Sequence, residues 1–288
     1  MNRQMLGAVL AATSVAMAAS AARADEWSKT YSISGRADLQ VQTDDGDVNI
    51  VSVDQKQITA KVATEGYKIG TDDVRVEDSQ SGDHVSVTVK APHTFNYFLN
   101  IFGGFHHAIH VELLVPRDLD LDVGTGDGSV TVQPVAGRIR IRTGDGSIHA
   151  DGLKGDVSMH TGDGSIEGRN IDGALKAESG DGQITISGRF DGLDVSTGDG
   201  GIDAQVSGGS KTTVVWNLHS GDGSIDLRIP SELRANLDLK TGDGRITLDM
   251  PVMVEGSVNR SHVRGAMNGG GGELKVTSGD GSIHLMRS

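Results

Sequence analysis

The sequence predicts an all-β protein: a parallel β-solenoid of about 18-residue, two-strand coils with an N-terminal β capping region. Three observations carry this reading. A Thr/Ser-Gly-Asp-Gly tetrapeptide recurs with its aspartates at Asp127, Asp145, Asp163, Asp181 and Asp199, a strict step of 18. Apolar residues alternate with polar ones on both sides of each copy, the pattern of a half-buried strand. Glycine is abundant (41 residues) and proline scarce (5) without collagen's period of three, which calls for many tight turns and leaves little room for long helices.

Residues 1–24 have the pattern of a secretory signal. Arg3 supplies a short positive start, Met5 to Ala22 is almost entirely small or apolar, and Ala22-Arg23-Ala24 is an A-x-A cleavage site. The polar Asp25-Glu26 that follows argues against a membrane anchor. The expected location is therefore exported, periplasmic or extracellular. No later stretch reaches 18 uninterrupted apolar residues, so no membrane span is expected after cleavage.

The chain carries net charge −13, and the signal holds two arginines and no acid, so the mature charge is −15. That sign disfavours nucleic acid, whose binders gather Lys and Arg, and electrostatic docking on anionic lipid. The absence of cysteine removes disulfides, thiolate metal sites, a cysteine nucleophile and a lipidated N-terminal cysteine.

Residues 25–118 form the N-terminal β region of first coils and cap. Leu39-x-Val41 leads into a degenerate motif copy, Thr43-Asp44-Asp45-Gly46, and Val48-x-Ile50 follows it. Val85-x-Val87-x-Val89 and Ile109-x-Val111-x-Leu113 continue the alternation. A cap is expected because a solenoid end otherwise offers an open edge.

Residues 119–288 are the repeat solenoid. Before the motif come Leu121-x-Val123, Ile139-x-Ile141 and Val157-x-Met159; after it come Ile148-x-Ala150, Ile184-x-Ile186 and Ile225-x-Leu227. Each coil thus holds two strands joined at Gly-Asp-Gly. A second turn, seen as Asp151-Gly152, Asp172-Gly173 and Asp191-Gly192, leads onward. Asp-Gly also suits a hairpin, so an antiparallel meander is the competing fold. A solenoid accounts better for the constant phase, since equivalent side chains must stack in columns. After Asp199 the steps are 23 and 21, to Asp222 and Asp243, then 37 to Asp280, near two coils with one motif lost. Nine coils at about 4.8 Å predict a rod roughly 40 Å long. The residue before Gly-Asp-Gly is always Thr or Ser, whose hydroxyl can bond the turn's N–H groups. The outward columns vary freely, as an ordinary solvated face does.

The run Val115-Pro116, Leu119-x-Leu121-x-Val123 and Thr125-Gly-Asp-Gly-Ser-Val130 resembles a bacterial adhesin-like family of unknown function with β-strand repeats. The resemblance spans most of residues 40–288. It implies a stacked β-solenoid and supplies no catalytic residues.

Two candidate sites follow. The aspartate column, Asp127, Asp145, Asp163, Asp181 and Asp199, stacks carboxylates about 5 Å apart, and their mutual repulsion of roughly 1 kcal/mol in water would favour a calcium ion. Yet the calcium β-roll motif, G-G-x-G-x-D-x-U-x twice per coil, is not present; the competing reading is that Asp and Gly suit the left-handed conformation of a tight turn. The second candidate is the aromatic segment with Phe95, Tyr97, Phe98, Phe102 and Phe105, which would either contact a partner or form the cap's core. His93, His106, His107 and His110 lie close in sequence, but neighbours on a strand point to opposite faces. His84 and His110 have no obvious acidic or cysteine companions.

No singular nucleophile–base pair stands out from the repeating Asp and Ser, so no catalytic residue is expected. The expected function is a non-enzymatic binding module of the cell envelope, its partner an unknown envelope component, glycan or protein. A carbohydrate-active β-helix enzyme and a structural spacer are the alternatives.

Overall fold

The computed structural model describes residues 25–70, 73–91, 108–250, 253–254 and 260–288; residues 1–24, expected to be a signal, lie outside them. The described residues form strands throughout and no helix. The N-terminal third holds β1 (Asp25–Ser32), β2 (Ala37–Thr43), β3 (Asp47–Ser52), β4 (Gln57–Glu65), β5 (Arg75–Ser81), β6 (His84–Lys90) and β7 (Ala108–Val115). The regular coils run through β8 (Leu119–Thr125), β9 (Val130–Val132), β10 (Ala136–Thr143), β11 (Ile148–Asp151), β12 (Lys154–Thr161), β13 (Ile166–Ser179), β14 (Ile184–Thr197) and β15 (Ile202–Val206). The last third holds β16 (Trp216–Ser220), β17 (Ile225–Ile229), β18 (Ala235–Thr241), β19 (Ile246–Leu248), β20 (Met253–Val254), β21 (His262–Met267), β22 (Gly272–Ser278) and β23 (Ile283–Arg287).

Pairing between coils is parallel, which rules out the meander. Ile139 faces Val157 and Thr143 faces Thr161, 18 residues on; across the corner Ile148 faces Ile166. Two columns of strands result, one before the Gly-Asp-Gly corner and one after it. Their inward positions, such as Leu39, Leu121, Ile139, Val157 and Leu175 in the first and Ile50, Val132 and Ile186 in the second, are buried in one continuous core. Every strand interior is apolar on one side only, so burying that side requires both columns to close on each other.

Coil order is where chain order fails. In the first column the spatial sequence is β6, β2, β8, β10, β12, β13, β14, β16, β22, β18. In the second it is β7, β3, β9, β11, β13, β14, β15, β17, β23, β19. The described residues thus make ten layers rather than the nine expected. Nine carry the motif; the outermost, β6–β7, does not. The C-terminal coil β22–β23 slots between β16–β17 and β18–β19. The 37-residue step before Asp280 is therefore no pair of coils with a lost motif. It contains the antiparallel β20 and β21, and β21 pairs with β18. At the other end β5 pairs antiparallel with β6, and β4 lies antiparallel between β7 and β1.

The expected second turn is present at Gly152, whose φ is 71°, but not at Asp172-Gly173 or Asp191-Gly192. There β13 and β14 run straight through the corner as 14-residue strands, and their mutual register slips between Gly168 and Ile171 and between Gly173 and Ala174. Such irregularities bend a strand without ending it.

Candidate functional site

The motif corner is built from its hydroxyl column. Thr143, Thr161, Ser179, Thr197, Ser220 and Thr241 are all buried. Thr161 Oγ1 donates to the Gly146 carbonyl of the preceding layer at 2.9 Å and accepts from Gly164 N–H of its own turn at 3.1 Å. Thr143 and Ser179 repeat both bonds. The hydroxyl therefore holds its own corner, as the sequence implied, and also ties each corner to the next.

The glycines serve packing rather than the left-handed region. Among the motif glycines only Gly46 has a positive φ, 118°. A Cβ at Gly146 would lie 2.0 Å from the Gly128 carbonyl oxygen, and one at Gly164 2.0 Å from that of Gly146. Adjacent corners approach too closely for any side chain, so the left-handed-turn account is corrected.

Asp127, Asp145, Asp163, Asp181 and Asp199 stand exposed on this corner, one per layer. Among the described residues no three His, Asp or Glu converge on a metal position. At the N-terminal end of the column Asp45 is held above the usual carboxylate range by burial, then by the charges of Asp127 and Asp44. Phe95, Tyr97, Phe98, Phe102 and Phe105, with His93, His106 and His107, lie outside the described residues. Ala91, the last described residue before them, donates its N–H to Asp44 Oδ2 at 3.3 Å. Ala108 is the first described residue after them, and Ala91, Ala108, Asp45 and Asp127 line one small cleft.

His84 and His110 do have acidic companions, supplied by the neighbouring layer: Asp38 at 3.0 Å and Asp47 at 3.8 Å. The outward columns are likewise more ordered than a freely varying face. Arg140 and Arg142 both reach Asp122 (3.1 and 2.7 Å), Arg228 reaches Asp203 (2.5 Å), and His284 reaches Asp226 (2.7 Å). Stacking places residues of successive layers one strand spacing apart, so opposite charges meet.

One feature of this face escaped the sequence reading. Along β10, β12, β13 and β14 one outward column runs Arg138, Asp156, Ala174, Gly192, so the side chains shrink to nothing over four layers. Beside Gly192 the link between β15 and β16 brings Val214 and Val215, 55% and 56% exposed. A groove of about 380 Å³ lies between them, its floor touching the edges of Val157, Leu175 and Leu193. Two signals in the sequence mark it: the step of 23 rather than 18 between Asp199 and Asp222, and the loss of polar side chains at 174 and 192.

Residues 36–286 match the family profile described as Toastrack DUF4097. The chain belongs to the Toastrack family. This is an adhesin-like family of unknown function and a β-solenoid-like fold, in agreement with the resemblance. Among curated proteins none matches this Toastrack chain. Solved structures similar to it include a putative adhesin from Parabacteroides merdae (12% identity, 91% of this chain and 96% of that one, TM-score 0.48). A putative lipid binding protein from Parabacteroides distasonis shares 14% identity over 91% of this chain and 96% of its own, with TM-score 0.45. A putative cell adhesion protein from Clostridium sporogenes shares 12% over 92% and 100%, with TM-score 0.30. No helix among the described residues is long and apolar enough to cross a membrane.

Proposed function

We propose that this Toastrack chain is an exported, non-enzymatic binding module of the cell envelope, periplasmic or extracellular, with residues 1–24 removed as its signal. The 18-residue coil is its structural unit. The antiparallel strands β1, β4 and β5 at one end and β20–β21 at the other act as caps that blunt the solenoid's edges. The observation that carries the binding reading is the groove between the Ala174–Gly192 column and Val214-Val215. A repeat protein has no internal reason to keep exposed apolar side chains beside a concavity on a charged face, and such patches mark contact surfaces.

The test is co-sedimentation of residues 25–288 with isolated envelope fractions, with calcium and with chelator. Wild type is expected to sediment with the envelope, and Val214→Ser/Val215→Ser to remain in solution while keeping its β spectrum. A variant with Phe98, Phe102 and Phe105 changed to Ser asks the same of the aromatic segment, and loss in chelator alone assigns the contact to the Asp127–Asp199 column. No sedimentation under any condition would sink the reading and leave a structural spacer, or an enzyme to be sought with a polysaccharide panel.

A further inference from the structure

The groove has a chemical direction. At one end, β10 carries Arg138, Arg140 and Arg142, and Arg36, which precedes β2 two layers away, comes within 2.5 Å of where a Gly137 side chain would start. Four guanidiniums gather here in a chain of net charge −13. Asp120 takes Arg36 at 2.9 Å, and Asp122 takes both Arg140 and Arg142. Among the described residues Arg138 makes no salt bridge within 4.0 Å, though its charge also acts on Asp120; Asp156 is its register partner one layer on. Among the charged residues lining the groove, Arg138, Arg140 and Lys176 outnumber Asp156 and Asp194.

Toward the other end the Arg138 column loses its polar side chains, while the adjacent outward column of Arg140, Ser158, Lys176 and Asp194 lines the groove throughout. Ala174 and Gly192 leave the strands bare, the rims of Val157, Leu175 and Leu193 form the floor, and Val214 and Val215 form one wall. From the Arg138 layer to the Gly192 layer the groove crosses three layer spacings, about 14 Å. Its volume of about 380 Å³ is that of a site for a small ligand. A mainly apolar trough with the Arg138 guanidinium, free of any salt bridge, at one end is complementary to an amphiphile with one alkyl chain and an anionic head. A planar carboxylate fits the guanidinium fork with two parallel hydrogen bonds.

We propose that this groove binds a fatty carboxylate, with the acyl chain along Ala174, Gly192, Val214 and Val215 and the carboxylate on Arg138. The proposal rests on the groove being the binding surface of the preceding section and names its ligand class. The head contributes a charge-assisted hydrogen bond, and each methylene buried in the trough adds to the affinity.

The experiment is calorimetric titration of residues 25–288 with sodium dodecanoate below its micellar concentration. Saturable one-to-one binding is expected. Octanoate should bind at least tenfold more weakly, being four methylenes shorter, and dodecyltrimethylammonium should bind at least tenfold more weakly through its inverted charge. Arg138→Ala should weaken dodecanoate about tenfold, and Asp156→Asn should tighten it severalfold. Gly192→Leu should abolish binding by filling the trough; Val214→Ser, which adds no bulk, guards against a folding artefact and should weaken binding severalfold. Absence of saturable binding, equal affinity for the cationic amphiphile, or indifference to both Arg138→Ala and Gly192→Leu would overturn the assignment. So would sedimentation velocity showing dimers that Val214→Ser dissolves, because a second copy would then be the occupant. If dodecanoate fails while envelope sedimentation still depends on Val214 and Val215, the ligand class falls and the binding module stands.

Discussion

At the scale of single residues, the corner hydroxyl is the most demanding position in the repeat. Thr161 is fully buried and both donates and accepts, so removing its oxygen strands the Gly146 carbonyl and the Gly164 N–H together. Leaving buried polar groups unpaired costs about 1–3 kcal/mol. Thr161→Val, nearly isosteric, should therefore lower the unfolding free energy by that much, read as a lower urea midpoint at an unchanged slope. Thr161→Ser should cost well under half as much, since Ser179 and Ser220 make the same bonds in their own layers. A Val variant as stable as the Ser variant would show that the column is held by shape alone. This chemistry was half legible: the Thr/Ser restriction was visible in the repeats, but only stacking reveals that the acceptor belongs to the previous layer.

At the scale of elements, strand stacking turns isolated charges into ladders that tie layer to layer. The Arg189 guanidinium holds Asp191 below the usual carboxylate range. The Arg138 backbone N–H, with Arg36 beside it, does the same for Asp120. A folded-state pKa below the unfolded one contributes stability that is present above the ordinary carboxylate value of about 4 and is lost as pH falls through the folded value. Asp45 acts in the opposite sense, since its raised pKa favours the fold only on the acid side. The lowered carboxylates outnumber it among the described residues, so the thermal midpoint should hold from pH 7 to about 5 and decline below about 4. Arg189→Gln should lower the midpoint at pH 7 and make the acid decline shallower. A midpoint independent of pH down to 2 would mean that the ladders are too solvated to matter. Apart from Arg189 and Asp191, two residues apart on one strand, these partners were not legible in the sequence, because residues such as Arg228 and Asp203, 25 apart, meet only through the register of the coils.

At the scale of the whole molecule, the rod is stitched at both ends by coils out of chain order. A solenoid is quasi-one-dimensional, so the loss of one layer is felt chiefly by its neighbours. Deleting residues 272–288 removes β22 and β23, which join β16–β17 to β18–β19. Amide exchange should then speed up across 235–267 while 136–206 keeps its protection. If 235–267 stays protected, β18–β19 has reseated directly on β16–β17, and the layers are interchangeable because their apolar columns are alike.

Period-two alternation and an 18-residue phase were sufficient by themselves for the all-β class and the inward columns and favoured parallel stacking over the meander, because both are local consequences of strand geometry and of one repeated corner. The order of the coils was left to the tertiary structure. Leu237 and Leu274 offer equivalent faces, and no local rule says which lies nearer Trp216. The same holds for the groove and the charge ladders. They arise where side chains far apart in sequence are brought one strand spacing apart, and that distance exists only after the two columns have closed on a common core.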